Sequence, residues 1–221
     1  MIIPAASFTF DAYQAGEYGD HCIVHGDCRL VLPLIPDKAI DLVLTDPPYG
    51  IGWIGSNAST RVWEGLANDD GELDLRAILR MNCPIVAFGA NYYPEQLPHR
   101  GRWICWDKRV DPKADAMLGA PYELAWTNRI SGFDKIYRIM HGGVVNSDGG
   151  RRCHPTQKPV KLFEYIIQDY PHSDFILDPF LGSGTTLVAA KNLGRRAIGI
   201  EIEYKYCQIA EQRLAQEVLA L

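Results

Sequence analysis

The apolar positions of the chain form short runs that alternate with segments of helical periodicity. This alternation is typical of α/β proteins, in which helices flank a mostly parallel sheet. The pattern predicts strands at Cys22–His25, Asp41–Thr45, Pro84–Phe88, Trp103–Trp106, Phe175–Leu177 and Ala197–Glu201, and two more, antiparallel to each other, at Tyr122–Thr127 and Lys135–Ile139. It predicts helices at Arg29–Ile35, Leu73–Asn82, Asn91–Leu97, Lys158–Asp169 and Thr185–Leu193, and from about Glu203.

Two long segments, Gly50–Asp70 and His141–Thr156, fit neither pattern and are rich in Gly, Ser, Asn and charge. Long loops in a compact domain are usually functional or disordered. A length of 221 residues favours a single globular domain over residues 1–221. An apolar run of about 18 residues is absent, as is a basic segment followed by a long apolar one, so we expect a cytoplasmic protein without a membrane span.

The charge is unevenly distributed along the chain. The net charge is −5, yet the segment from Arg100 to Lys161 holds twelve Lys or Arg against six Asp or Glu, a local charge of +6. A local basic surface matters more for phosphate contacts than the overall charge does. A polyanion site and an ordinary solvated face both explain this segment.

The six cysteines have no spacing typical of a disulfide framework, which favours reduced thiols. Cys22, His25 and Cys28 recur every three residues and suggest a zinc site. A structural zinc site needs a fourth ligand, and the stretch has the pattern of a strand entering a turn. We therefore expect no metal there.

A glycine-rich turn follows the predicted strand at Phe175–Leu177 and leads into the next helix. Backbone N–H groups at such a helix start favour anionic ligands, and glycines let a ligand approach the backbone. About twenty residues later, a strand ends at Glu201, where nucleotide-binding folds place a carboxylate for ribose hydroxyls. The pair favours an adenosine-type ligand over a purely structural turn.

A second candidate site, Thr45-Asp46-Pro47-Pro48-Tyr49-Gly50, follows the strand Asp41–Thr45. The carboxyl end of a strand in an open α/β sheet is where ligands bind. Two prolines restrict the backbone, so the Pro47 carbonyl and the Asp46 carboxylate can together accept both hydrogens of an amino group. The Tyr49 ring offers a face on which a planar base stacks. Taken alone, the Pro-Pro turn could equally be a strand terminator.

The chain resembles the amino-methyltransferases that modify adenine N6 or cytosine N4 in DNA. The resemblance rests on DPPY at Asp46–Tyr49, HPTQKP at His154–Pro159, DPFLGSGTT at Asp178–Thr186 and GIE at Gly199–Glu201. The order of these motifs is similar to the permuted beta group, which includes restriction-modification and phage enzymes. The resemblance implies a Rossmann-like S-adenosylmethionine-dependent methyltransferase fold with a circularly permuted motif order.

The resemblance also implies roles for individual residues. Asp46, Pro47, Pro48 and Tyr49 would hold the target base. Glu201 would contact the cofactor's ribose and Asp27 its adenine amino group, while the methionine part would lie against Phe180, Gly182, Ser183, Gly184 and Thr185. Asp178 would also belong to the cofactor-binding residues. His154, Thr156 and Lys158 would close that end, although His154 and Lys158 alone would be taken for a turn residue and a surface charge.

The substrate implied by the resemblance is double-stranded DNA. A base must leave the duplex before its amino group can react, so we expect base flipping. The target-recognition region is expected at about 107–152, short for this family, with candidate DNA contacts at Arg109, Lys113, Arg129, Lys135, Arg138, Arg151 and Arg152. No membrane is expected as a partner, and a homodimer stays open.

Aspartate as the first residue of the catalytic motif is more usual in the adenine branch, so the resemblance favours adenine N6 over cytosine N4. An RNA methyltransferase is disfavoured by the motif order. A DNA-binding regulator without catalysis is the alternative of another class. The intact motifs at Asp46–Tyr49 and Gly182–Thr186 argue against it.

Overall fold

A central sheet organises the fold in the computed structural model, which describes residues 1–50, 75–109, 120–129, 132, 134–140 and 157–216. Its strands in the described residues are β1 (Ile2–Pro4), β2 (His21–His25), β3 (Leu42–Thr45), β4 (Ile85–Phe88), β5 (Arg102–Asp107), β6 (Tyr122–Thr127), β7 (Lys135–Arg138), β8 (Phe175–Asp178) and β9 (Arg196–Glu201). Their order across the sheet is β1-β2-β9-β8-β3-β4-β6-β5-β7. Of these, only β6 is antiparallel to its neighbours.

The helices of the described residues are α1 (Phe10–Gln14), α2 (Cys28–Val31), α3 (Arg76–Leu79), α4 (Val160–Gln168), α5 (Thr185–Asn192) and α6 (Tyr204–Ala215). No helix in these ranges is long and apolar enough to cross a membrane. The longest three, α4, α5 and α6, agree with the predicted helices. They also carry the strongest helical signal, because they are long enough for several turns to show the period.

Several predicted elements differ from the structure. Strand β1 and helix α1 were not predicted, since each is too short for its period to stand out. The helix predicted at Asn91–Leu97 is instead two 3₁₀ turns, Ala90–Tyr92 and Pro94–Gln96.

Other elements have different lengths or neighbours from those predicted. The second predicted helix, Arg29–Ile35, is α2 followed by a 3₁₀ turn at Leu32–Leu34 that contains Pro33. The helix predicted at Leu73–Asn82 is described from residue 75 onward, and there the helix covers only Arg76–Leu79. Strands β6 and β7 do run in opposite directions, but they do not pair, because β5 lies between them.

Alternate residues of the central strands pack into two separate cores, one on each face of the sheet. In β3, Leu42 and Leu44 join the core beneath α4, α5 and α6, whereas Val43 joins the core beneath α1, α2 and α3. Both faces are therefore covered, which explains why β3 and β4 are apolar and buried throughout rather than alternating. The result is the mostly parallel α/β architecture that the sequence predicts.

Strands β3 and β8 lie side by side, with Leu42 opposite Ile176 and Val43 opposite Leu177. The chain continues from β3 to β4 on one side, and from β8 to β9 on the other. This is a topological switch point, where loops leave a crevice at the carboxyl edge of the sheet. The two motifs that end these strands are therefore brought together, although they are far apart in sequence.

Candidate active site

The loop Asp46–Tyr49 leaves the end of β3 and folds back on itself through a hydrogen bond. The Tyr49 hydroxyl donates to Asp46 Oδ1 at 2.7 Å. Asp46 Oδ2 accepts from the ammonium of Lys158, which lies just before α4. Pro47 is buried, so the short segment between the two side chains is fixed. Both carboxylate oxygens of Asp46 are thereby oriented.

The ring of Tyr49 is packed between aromatic and backbone neighbours. Gly89 follows β4 with a φ of +68°, and a Cβ at this position would lie 1.9 Å from a Tyr49 ring carbon. Tyr92 stacks on the ring, with 5.0 Å between centroids and 15° between planes. The glycine is needed both for its backbone conformation and for the space that the Tyr49 ring occupies.

The glycine-rich loop connects β8 to α5 through two glycines with positive φ. Gly182 has a φ of +52° and Gly184 a φ of +87°. A Cβ on Gly184 would approach the Cβ of Ala210 in α6 to 2.7 Å, so this turn can pack against α6 only without a side chain. Arg213 of α6 supports the loop by donating to the Ser183 carbonyl at 2.8 Å and to Thr185 Oγ1 at 3.2 Å.

Asp178 joins the two motifs rather than pointing freely into the crevice. Its Oδ1 accepts from the Thr45 hydroxyl at 2.8 Å and from the Phe180 N–H at 3.1 Å. Its Oδ2 accepts from the Thr186 hydroxyl at 2.5 Å. Burial raises the pKa of Asp178 to about 6, although the hydrogen bonds from Thr186 and Thr45 oppose the shift. The residue thus ties the end of β3 to the turn after β8.

Glu201 lies at the end of β9 and accepts two backbone hydrogen bonds. Gly182 N–H donates to Oε2 at 2.8 Å, and Glu203 N–H donates to Oε1 at 2.7 Å. Burial raises the pKa of this carboxyl to about 7. Asp27 is nearby in the fold, because Gly26 N–H donates to the Glu201 carbonyl at 2.9 Å. Asp27 caps α2 and forms an ion pair with Arg29 at 2.5 Å.

One crevice contains residues from both motifs. Asp46 and Lys158 line it on one side, and the glycine-loop residues Phe180, Gly182, Ser183 and Thr185 line it on the other. Gln157 and Phe163 complete the wall, and neither was singled out from the sequence. In the described part of the chain, no group of three or more His, Cys, Asp or Glu could hold a metal ion.

Lys158 occupies a different environment from that of an ordinary surface lysine. Its side chain is only 5% exposed, and its ammonium also lies 3.0 Å from Glu123 Oε2. Burial lowers the pKa of Lys158, but the carboxylates of Asp46 and Glu123 outweigh it, so the pKa is raised. Burial raises the pKa of Glu123 as well, but the ammonium groups of Lys158 and Lys108 lower it by more, so the pKa is about 2.

Sequence reasoning missed Glu123, although a signal for it exists. It is an acidic residue in the otherwise apolar and neutral strand YELAWT, and such a residue rarely lies in a strand without a partner. Arg213 carries a similar signal, since it belongs to the helical stripe of α6 that includes the buried Tyr206 and Ala210. Tyr92 has no comparable sequence signal.

The basic candidates for DNA contact are divided between two sides of the sheet: the carboxyl edge, where the parallel strands end, and the opposite edge, where these strands begin. Arg138 ends β7 and Arg109 follows β5, so both lie at the carboxyl edge together with Asp46. Arg129 and Lys135 lie at the opposite edge, where both contact Asp169 at the end of α4. His154, Thr156, Lys113, Arg151 and Arg152 are outside the described residues.

Comparisons with known proteins place this arrangement in a family. Residues 106–212 match the family described as DNA methylase, which comprises N6 and N4 methyltransferases. YubD of Escherichia coli (strain K12), named as a methylase, is 31% identical in an alignment that covers 87% of this chain and 89% of YubD. M2.LlaDCHI of Lactococcus lactis subsp. cremoris, a type II methyltransferase, is 29% identical in an alignment that covers 87% of this chain and 88% of that protein.

Solved structures share the fold. TTHA0409 of Thermus thermophilus, described as a DNA modification methylase and complexed with S-adenosyl-L-methionine, has a TM-score of 0.60 at 24% identity, covering 91% of this chain and 96% of that chain. PvuII DNA methyltransferase, which is cytosine-N4-specific, has a TM-score of 0.59 at 15% identity, covering 90% and 88%. The predicted methyltransferase fold is thus confirmed. With YubD as a relative over most of both sequences, the chain belongs to the family of DNA amino-methyltransferases that modify adenine N6 or cytosine N4.

Proposed function

We propose that this DNA methyltransferase transfers a methyl group from S-adenosylmethionine to N6 of an adenine flipped out of double-stranded DNA. The observation that carries the proposal is the crevice between β3 and β8. It brings the Asp46 carboxylate beside the glycine loop of Gly182 and Ser183. An amino-group acceptor and an adenosine-type binding loop therefore share one crevice.

The glycine loop and its neighbours fit the cofactor. Gly182 lines the crevice without a side chain, which allows close approach of a ligand to the backbone, and Glu201 presents a buried carboxylate beside it. We assign the methionine part to Phe180, Gly182, Ser183, Gly184 and Thr185, with Asp178 holding their loop, and the adenosine to Glu201 and Asp27. His154, Thr156 and the Lys158 segment would close the methionine end. When bound, S-adenosylmethionine supplies an electrophilic methyl group.

The target amino group is held by Asp46 and the Pro47 carbonyl. An amino group conjugated to an aromatic ring is a poor nucleophile, and two acceptors that draw its hydrogens out of the ring plane make its lone pair available. Each Asp46 oxygen already accepts one hydrogen bond, from Tyr49 or from Lys158. A carboxylate oxygen accepts a second one, so the amino group can be bound without breaking either.

The flipped base stacks on Tyr49 in this proposal. The ring of Tyr92 is exposed and lies parallel to Tyr49, as a stacked base would. A base that stacks on the same face of the Tyr49 ring therefore takes the place of Tyr92. Its stacking on Tyr49 offsets part of the stacking that the base loses when it leaves the duplex.

Cytosine N4 is the alternative target, and the distinction between the two bases rests on Asp46 alone. Incubation of the protein with duplex DNA and methyl-labelled cofactor, followed by digestion to nucleosides, identifies the modified base. We expect labelled N6-methyladenosine in its deoxy form. Labelled N4-methylcytosine would replace adenine as the target, and label in RNA but not in DNA would overturn the substrate class.

Asp46→Ala tests the mechanism. We expect this variant to lose methyl transfer by at least about 100-fold, because a preorganised electrostatic partner of the reacting group is removed. Cofactor affinity, measured by calorimetry, should stay within a few-fold of the wild-type value, since the glycine loop is intact. Near wild-type transfer by the variant would remove Asp46 from the mechanism.

A further inference from the structure

A buried lysine lies between two carboxylates next to the proposed target site. The Lys158 ammonium is surrounded by oxygens of Asp46, Glu123 and Tyr49, the last two at 3.0 and 3.3 Å. Glu123 Oε2 lies 3.0 Å from the Lys158 ammonium in a buried ion pair. Glu123 comes from β6 and is also paired with Lys108.

This arrangement leaves the Lys158 ammonium occupied by the protein itself. An ammonium has three hydrogens to donate, and three protein oxygens lie around this one. The backbone of the same residue, in contrast, is turned toward the glycine loop, where the Lys158 carbonyl accepts from the Thr185 hydroxyl at 3.3 Å. The segment thus borders the cofactor crevice through its backbone, while its charge is directed at the catalytic loop.

The positive charge of Lys158 matters because two other carboxyl groups near Asp46 disfavour a negative charge on it. Glu123 from β6 and Asp178 from β8 both interact repulsively with Asp46. The Tyr49 hydroxyl donates a hydrogen bond to Asp46. Burial and the charge of Asp46 both raise the pKa of Tyr93, so this hydroxyl stays neutral beside the carboxylate. Burial raises the pKa of Asp46, and the pKa stays raised although the Lys158 ammonium opposes the shift, so the ionised form depends on that cation. Without a cation, two carboxylates sharing a buried site cannot both stay ionised.

We propose that Lys158 is a positioning residue for methyl transfer: its ammonium keeps the Asp46 carboxylate ionised, against the repulsion from Glu123, and aimed at the target amino group. The proposal rests on the proposed function, because it assigns Asp46 the acceptor role described there. A protonated Asp46 would present a hydrogen to the amino group instead of accepting one. The charges of the cluster balance, because the two carboxylates Asp46 and Glu123 face the two ammonium groups of Lys158 and Lys108.

The first experiment compares methyl transfer across pH in Lys158→Met, in the double variant Lys158→Met with Glu123→Gln, and in the control Lys161→Met. Lys161 is an exposed lysine on α4 that pairs with Glu164. We expect Lys158→Met to lose about 100-fold in single-turnover rate near neutral pH. The rate should recover as the pH rises and Asp46 ionises. The double variant also lacks the Glu123 carboxylate, which repels Asp46. Its profile of rate against pH should therefore shift back toward lower pH, and its rate at neutral pH should be about tenfold above that of Lys158→Met.

Two results would overturn the proposal. One is a loss in Lys158→Met that is equal at every pH and is not relieved by Glu123→Gln. The other is an unchanged rate constant at saturating cofactor together with a raised cofactor Kd, which would make Lys158 a cofactor contact. Lys161→Met should match the wild type in both measurements.

A second measurement needs neither a folded variant at Lys158 nor methyl transfer. The carbon-13 carboxyl resonance of Asp46, assigned by its disappearance in Asp46→Asn, reports the ionisation state in the wild-type protein. We expect an ionised carboxyl at neutral pH, and a protonated one would refute the role of Lys158. Failure of the proposed function is a separate outcome, since it would appear as a wild-type protein that transfers no label to DNA.

Discussion

Three carboxylates in or beside the crevice differ in what holds them, and this difference suggests their roles. Asp178 accepts from two hydroxyls and a backbone N–H, all within the protein. Asp46 accepts from Tyr49 and from a cation. In the described part of the chain, Glu201 accepts from the backbone N–H groups of Gly182 in the glycine loop and of Glu203 just after β9. Asp178 is therefore a structural link, while Asp46 and Glu201 keep acceptor capacity for ligands.

Cofactor binding should depend on pH through Glu201. Burial raises its pKa to about 7, so the free protein carries the proton on this carboxyl below that pH. The ionised form is the better acceptor for ribose hydroxyls, so binding should weaken as the pH falls through about 7 and should be constant well above it. Well below pH 7, the Kd should rise about tenfold for each unit by which the pH falls. Calorimetric titration with S-adenosylmethionine between about pH 5.5 and 8.5 measures it.

Glu201→Gln supplies the decisive comparison for this pH dependence. The amide keeps a carbonyl acceptor but has no proton to titrate in this range, so its Kd should be higher than that of the wild type and insensitive to pH. Glu211→Gln changes an exposed carboxylate on α6 and should retain the wild-type profile. A pH dependence that persists in Glu201→Gln would assign it to another group.

At the scale of elements, strand β7 places two basic residues at opposite edges of the sheet. Lys135 begins the strand and pairs with Asp169, whereas Arg138 ends it, 61% exposed, and lies 3.5 Å from Asp107. Because β7 is parallel to β5, its end is at the same edge as the Asp46 loop. A duplex whose base enters the crevice would therefore meet Arg138 and not Lys135.

The two ends of β7 give a matched test of DNA binding. We expect Arg138→Gln to lower the affinity for duplex DNA and to reduce the slope of log K against log salt by about one, as the loss of one phosphate contact does. Lys135→Gln should change neither, although it removes the same charge from the same strand. Fluorescence anisotropy at several salt concentrations measures both. Equal losses in the two variants would contradict the assignment to one edge.

The predictable part of the fold is the part whose signal is local. Strands β3, β4 and β8 are short apolar runs, and α4 and α6 are long enough to show their period, so the sequence located them closely. The pairing of β7 with β5 was not predictable, because it depends on how the chain returns across the sheet.

The candidate site shows the same limit. Asp46, Glu201 and the glycine loop were located from motifs that end strands, where a sheet concentrates its ligands. The environment of Lys158 was not, since its partner Glu123 is contributed by a strand on the far side of β4. The position of Tyr92 over Tyr49 likewise depends on a glycine whose role is visible only in three dimensions.

At the scale of the whole molecule, one hydrogen bond joins two distant parts of the chain. Thr45 is fully buried at the end of β3, and its hydroxyl donates to Asp178 at the end of β8. The order of the motifs places the Asp46 loop early and the glycine loop late in the chain. Their relative position is therefore set by sheet pairing and by this contact, rather than by a short connection.

Thr45→Val should lower the free energy of unfolding by about 1–3 kcal/mol, because it removes a donor from a buried carboxylate at nearly constant volume. The loss should be larger at about pH 8 than at about pH 5. The folded-state pKa of Asp178 is raised from its ordinary 3.8 to about 6, so ionisation of this group lowers the stability of the fold as the pH rises through that interval. Without the Thr45 hydroxyl the pKa rises further, and the loss continues to higher pH.

Denaturant unfolding of Thr45→Val and of a control, Thr127→Val, at both pH values separates this effect from the loss of any buried hydroxyl. Thr127 is also buried, at 4% exposure, but its hydroxyl bonds the Tyr170 hydroxyl at 2.9 Å, and both groups are neutral over this range. Its substitution should therefore cost the same at the two pH values. If Thr45→Val also showed no pH dependence, the Asp178 carboxylate would not be the group that couples the two motifs through Thr45.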